Sequence, residues 1–248
     1  MIVGCGGINP AGRISGHHAY RRLVLDALPE AAQQRTYKSL AELMGFADTA
    51  ALTDSDKAQI RDHTLIRRIE NFDPESVLWQ SALKMTGADG QTLSFVTGKR
   101  QLPNRVPEYW AVTDIGDNQV KVVCNAPLNA LLPELRTSKV TSAGQLPTGF
   151  DPAALYASRN HPRGLQLAVY GASDTLRSTG FSVEQLKSMV APDQFAVYSG
   201  SAMGQLDADG YSGLLQNPVI GKRPSSKHVA LGLPEMPGDF VNAYVLGS

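Results

Sequence analysis

The stretch Ile2-Val3-Gly4-Cys5-Gly6-Gly7-Ile8-Asn9-Pro10-Ala11-Gly12-Arg13, IVGCGGINPAGR, decides how the chain is read, because a strand-like start runs into a glycine-rich turn that contains a thiol. A dinucleotide site needs G-x-G-x-x-G, with the third glycine packing helix on strand and the helix N-terminus facing a pyrophosphate. Counted from Gly4 and Gly6, the third position is Asn9, and Pro10 follows it. The pattern fails where the helix should begin, and no acidic residue stands at a ribose-binding distance, so no cofactor is expected. A nucleophilic reading of Cys5 lacks a helix N-terminus and a base, and a buried, inert thiol is the expectation.

Working outward, Tyr20, Leu23, Val24, Ala27 and Leu28 form a helical stripe that Ser15 would cap and Pro29 would end. Tyr37, Leu40, Leu43 and Met44 repeat the spacing up to a stop at Gly45. Further helices are expected near 55–67 and 74–84. YWAVTDIGDNQVKVVC reads as a β-hairpin turning at Gly116-Asp117-Asn118, with Cys124 buried in its return strand. Pro127, Pro133, Gly144, Pro147 and Gly149 mark a loop-rich junction. Beyond it, Leu165, Ala168, Val169, Ala172 and Leu176 make a helix stripe between Pro162 and Gly180, and Ser182 and Gln185 have capping-box spacing for a short helix to Val190. QFAVYSGS reads as a buried strand ending in the small-residue turn Ser199-Gly200-Ser201-Ala202-Met203-Gly204, and MPGDFVNAYVLGS as the start of a helix.

Composition narrows the function classes. The 23 Lys and Arg balance 23 Asp and Glu, so no basic field argues for nucleic acid. No apolar run approaches the ~18 residues of a membrane span, and no secretory signal is recognisable at the N-terminus. Two cysteines imply no disulfide framework and suit a cytoplasmic setting. No Cys and His grouping has zinc spacing, and no metal site is expected. The histidines are scattered: His17 and His18 at a helix start, His63 in a helix, His161 at a helix cap, His228 in a polar loop. Ser201 has Ser199 where a nucleophile elbow needs glycine, which leaves a small-molecule α/β enzyme, dinucleotide-dependent or hydrolytic, only as a third alternative.

Taken together, four blocks resemble the elongating β-ketoacyl-acyl carrier protein synthases. VGCGGINPAGR is similar to the strand and G-x-G-x-x-S-x-x-G turn that open such chains, with Gly4, Gly6 and Gly12 on the glycines and Asn9 in place of serine. TGFDPAALYASRNHPRGLQLAVYGASDTLRSTGFS resembles the Asp-Pro segment, basic linker and alanine-rich helix that follow. DQFAVYSGSAMGQL resembles the strand and G-S-G-x-G turn, and LPEMPGDFVNAYVLGS the helix with a proline and an asparagine, here Pro237 and Asn242. The blocks cover residues 1–28 and about 146–248.

The resemblance implies an α/β thiolase-like fold, layered α-β-α-β-α when complete, with 1–248 as an N-terminal part and about 29–147 as a family-atypical insertion containing the hairpin. It implies a decarboxylative Claisen condensation of an acyl thioester with malonyl carrier protein in fatty-acid or polyketide synthesis, acyl carrier protein as partner, and a homodimer. The family's nucleophilic cysteine and two histidines fall downstream of Ser248, so no catalytic residue is expected in this chain. Met203, at the variable position of G-S-G-x-G, would gate the acyl pocket. Arg21, Arg22, Arg67 and Arg68 are conceivable contacts for an acidic carrier, with solvated helix faces as the plainer reading. A ketosynthase-like partner or dimerisation module without a nucleophile is the second alternative.

Overall fold

The structure, a computed structural model, describes residues 1–87 and 92–247. The chain divides into two compact units, Met1–Ile69 with Ser142–Ser248, and Glu70–Thr141.

The first unit begins with a correction. Met1 to Gly7 make no strand ladder, and Ile2 is 92% exposed. Strand pairing starts only at β1 (Ile8–Asn9), which folds back on β2 (Gly12–Arg13) in the register Ile8↔Arg13. The turn is closed locally: Asn9 Oδ1 accepts the Ala11 amide at 2.8 Å, an Asx turn. With no sheet around it, Cys5 is exposed, not buried.

The expected helix over 20–28 is also broken. Gly16 and His17 both take positive φ, α1 (His18–Leu23) stops after 6 residues, and a 3-10 turn at Leu25–Ala27 follows. Ser15 caps nothing, because its hydroxyl is committed elsewhere. Helix α2 (Glu30–Met44) ends as the sequence demands, with Gly45 left-handed at φ 76° and the Phe46 amide reaching back to the Ala41 carbonyl. Helix α3 (Asp54–Asp62) starts on a Thr53/Asp56 capping box and is shorter than expected, because Leu65 turns left-handed and β3 (Ile66–Arg68) begins. Leu25, Tyr37, Leu40, Ala41 and Ile60 make the core of this part.

In the second unit, the segment read as a helix near 74–84 is β4 (Val77–Met85). Strands β5 (Leu93–Gly98), β6 (Trp110–Gly116) and β7 (Gln119–Cys124) follow, and β8 (Leu128–Arg136) pairs with β4 from Val77↔Arg136 to Met85↔Leu128. The passage from Pro127 was expected to be loop, yet Pro133 sits within β8; a two-stranded ribbon has an outer edge where a missing N–H costs no ladder bond. The β6–β7 hairpin forms as read, and positive φ at both Asp117 and Asn118 supplies the twist its turn needs. Val120, Val122 and Cys124 are its core, against which Phe95 and Trp110 pack edge to face at 5.5 Å.

The first unit resumes at β9 (Ser142–Gly144), antiparallel to β3. Helix α4 (Arg163–Thr179) runs from Pro162 to a left-handed Gly180, and α5 (Val183–Met189) starts on the Ser182/Gln185 capping box, both as expected. The buried strand expected over QFAVYSGS is absent: residues 195–200 pair with no strand, and Tyr198 is 95% exposed. Then come α6 (Tyr211–Val219), α7 (Lys227–Gly232), which carries His228, and α8 (Met236–Val241), continued as a π turn over Asn242–Leu246. Leu165, Val169 and Phe240 lock α8 onto α4. No helix among the described residues is long and apolar enough to cross a membrane.

The opening glycines lie against α4. A Cβ on Gly6 would sit 2.2 Å from the Thr175 amide nitrogen, and one on Gly4 2.6 Å from Thr179 Cγ2. Backbone cannot yield as a side-chain tip can, so Gly6→Ala is expected to cost about 2–3 kcal/mol. Gly200→Ala, where a Cβ meets nothing within 4 Å, should stay within about 0.5 kcal/mol. Urea unfolding midpoints of the two variants test this.

Candidate functional site

Helix α4 brings the two glycine turns together. Near its C-terminal end stands Asp174, 4% exposed, on the side of the helix opposite the core residues Leu165 and Val169. Its carboxylate accepts the Ser15 hydroxyl at 2.6 Å, the amides of Gly7 and Ser15 at 3.1 Å each, and Arg13 Nε at 3.0 Å, with Arg13 Nη2 at 2.9 Å. Burial by itself would raise this carboxyl; the Ser15 hydroxyl, the two amides and the Arg13 charge outweigh it and hold the group below the usual aspartate range. Three of the five donors are neutral, so the site fixes the loop from Gly7 to Ser15 by direction as well as by charge.

The other end of α4 is held by the second turn. The Arg163 amide donates to the Asp207 carboxylate, and a Cβ on Gly164 would fall 2.0 Å from Gln205 Oε1. Gln205 is itself buried, its amide donating to the Gly232 carbonyl and its carbonyl accepting the Tyr211 amide. Between these anchors lies a cleft of about 370 Å³, walled by Gly7, Ile8 and Ile14 from the first turn, Leu167 and Ala168 from α4, and Gly200, Ser201 and Gln205 from the second. Three of the four resemblance blocks thus share one wall, and Pro237 of the fourth touches it.

The other residues singled out in the sequence fall elsewhere. Met203 is 69% exposed and is not part of the cleft wall. Cys124 lies in the β5–β7–β6 sheet, where burial pushes its thiol up. His161 does more than flank a helix: its ring packs at 4.8 Å on Phe240 and its Nδ1 lies 3.3 Å from the Tyr156 hydroxyl, and burial lowers its pKa. Two of the four arginines are not solvated. Arg22 is buried, with Nε on Thr64 Oγ1 at 2.9 Å and Nη2 on the Arg61 carbonyl, and Arg67, on β3 and not on a helix, spans the carbonyls of Gln145 and Leu146. Asp174 and Gln205 were missed; Asp174 lies nine residues from Leu165, on the opposite side of the helix from the apolar stripe, so the stripe carries no signal for it.

No protein-family model matches the chain. Over 265 aligned positions it is 42% identical to the β-ketoacyl-[acyl carrier protein] synthase FabY of Pseudomonas aeruginosa, an alignment that takes in all of this chain and 42% of that protein. The crystal structure of the ketosynthase FabY from P. aeruginosa matches with a TM-score of 0.82 at 42% identity, covering 100% of this chain and 41% of that one. The resemblance read from the four blocks therefore holds: the chain is a homologue of a β-ketoacyl-acyl carrier protein synthase and has its α/β, thiolase-like fold. It spans about two fifths of the length of that relative.

Asp174→Asn keeps the shape of the carboxylate and removes its charge, leaving Arg13 buried without a counter-charge, and is expected to cost about 3 kcal/mol at neutral pH. Because the folded-state pKa lies below the unfolded one, the stabilisation is fully present above the unfolded value near ~4 and fades as pH falls through the folded value. Denaturant midpoints from pH 7 down to the onset of acid unfolding should therefore show the gap between wild type and Asp174→Asn narrowing with acidity.

Proposed function

We propose that this chain is part of a β-ketoacyl-acyl carrier protein synthase, which condenses an acyl thioester with malonyl carrier protein, with loss of carbon dioxide, in fatty-acid or polyketide synthesis. The observation that carries the reading is the 42% identity to a protein of that activity along the whole chain, both glycine turns included. On this reading residues 1–248 are an N-terminal part of the ketosynthase and about 29–147 its atypical insertion, within which the compact Glu70–Thr141 unit falls. A cytoplasmic homodimer that docks an acidic carrier belongs to the same proposal.

These residues act as scaffold. A condensing thiolate needs a helix N-terminus or a cation beside it. Cys124 is buried in a strand with its thiol pushed up, and Cys5 lies in a non-helical segment whose amide donates to Ser178 Oγ at 3.0 Å. The proposal therefore assigns the nucleophile and the two histidines to residues outside 1–248. Met203, exposed at the tip of the second turn, is proposed to gate the acyl pocket.

Peptide mass spectrometry after incubating the intact protein with an acyl carrier thioester is expected to find the acyl group on neither Cys5 nor Cys124, and Cys5→Ser should keep condensation within about twofold. An adduct on either thiol overturns the assignment, and no adduct on any cysteine favours the non-catalytic partner. Met203→Trp should lower kcat/KM for long acyl primers about tenfold and spare short ones. Unchanged chain-length preference removes Met203 from the pocket.

A further inference from the structure

A second cleft, of about 440 Å³, opens on the side of α4 that faces α2, and its wall includes the Arg13–Asp174 pair. Its inner surface holds Ser39, 5% exposed, whose hydroxyl is buried and has no hydrogen-bond partner among the described residues. That is an unusual state for a helical serine, which ordinarily returns its hydroxyl to the carbonyl one turn back, as Thr36 does to Ala32 at 2.9 Å in the same helix. An unsatisfied buried hydroxyl costs about 1–3 kcal/mol, and a cleft wall is where a ligand would recover it.

The rim carries charges of both signs that are not paired with each other. Arg177 on α4 and Glu42 on α2 both line the cleft, and neither makes an ion pair among the described residues. Of the other charges in the lining, Arg13 and Asp174 neutralise one another and Asp151 is paired with Arg163, and the Asp174 oxygens already accept five donors. The Tyr170 phenol also lines the wall; burial and then the Asp174 charge push its pKa up to about 12, so it remains a donor at neutral pH.

We infer that this cleft is a binding site for a small zwitterion, whose carboxylate is met by Arg177 with the Ser39 and Tyr170 hydroxyls and whose ammonium is met by Glu42. An anion alone would leave Glu42 facing like charge, and a cation alone would leave Arg177 and the buried Ser39 hydroxyl unanswered. A molecule with both ends satisfies all four groups. The site is separate from the cleft between the two glycine turns, and it stands whether or not the chain belongs to a condensing enzyme.

The test is calorimetric titration of the intact protein with glycine, β-alanine and γ-aminobutyrate, which carry the same two charges at increasing separation. At least one should bind saturably below about 10 mM, with acetate and methylamine failing to compete at the same concentration. Ser39→Ala should weaken that binding about threefold or more, and Arg177→Gln, at an exposed position, about tenfold. Absence of saturable binding by all three, equal binding of acetate or methylamine, or affinity unchanged by either substitution overturns the inference. Should Ser39→Ala alter the unfolding profile, Arg177→Gln and the competition on unmodified protein decide the matter.

Discussion

The carboxylate of Asp174 is the constraint on which the arrangement of the first unit rests. It is buried with five donors converging on its two oxygens, and all five come from the backbone and side chains of the loop from Gly7 to Ser15. A buried charge of this kind stabilises only when every lone pair is answered, and removing it strands Arg13, the Ser15 hydroxyl and two amides together. The need for glycine follows from the same contact. To bring the Gly7 amide within 3.1 Å of a side chain on α4, the preceding residues must run flush with the helix backbone, where Gly4 and Gly6 leave no space for a Cβ.

The second turn uses the same helix as its ruler. Gly164 and Asp174 are ten residues apart on α4, which at 1.5 Å per residue separates the two anchors by about 15 Å. Gln205 and Asp207 register one turn at the start of the helix, Asp174 registers the other near its end, and the cleft between the turns takes its width from that spacing. The opening glycines are therefore a packing device. They face the C-terminal half of a helix, where carbonyls and not amides are left unpaired, the wrong electrostatic end for a phosphate.

Features set by near neighbours were legible in the sequence. The stops at Gly45 and Gly180, the Ser182/Gln185 box and the Asp117-Asn118 hairpin turn each depend on residues within about four positions, and all form as read. Features that depend on a distant partner were not. Val77 to Met85 has an apolar spacing that suits helix or strand, and only β8, some fifty residues on, decides for strand. Ser15 has the chemistry of a cap, but Asp174, 159 residues away, offers its hydroxyl a better acceptor. The cleft between the turns was half legible: both turns were singled out, while Gln205 and Asp174, which hold them, were not.

Ile2-Val3 and Phe195 to Tyr198 carry the apolar pattern of buried strands and yet pair with no strand among the described residues, with Ile2 and Tyr198 standing almost wholly in solvent. The clasp does not depend on them. Every group that Asp174 holds lies at or after Gly7, and Gln205 and Asp207 lie after the second patterned segment, so the hydrogen bonds that define both turns are complete without any strand pairing. Strand pairing of either segment would add ladder bonds and cover apolar surface, contributing about 25 cal/mol for each Å² of that surface removed from water. It would leave the turn geometry where α4 has already put it. The helix and its two polar anchors thus come first in the energetic order, and the strand-patterned segments are positioned by them.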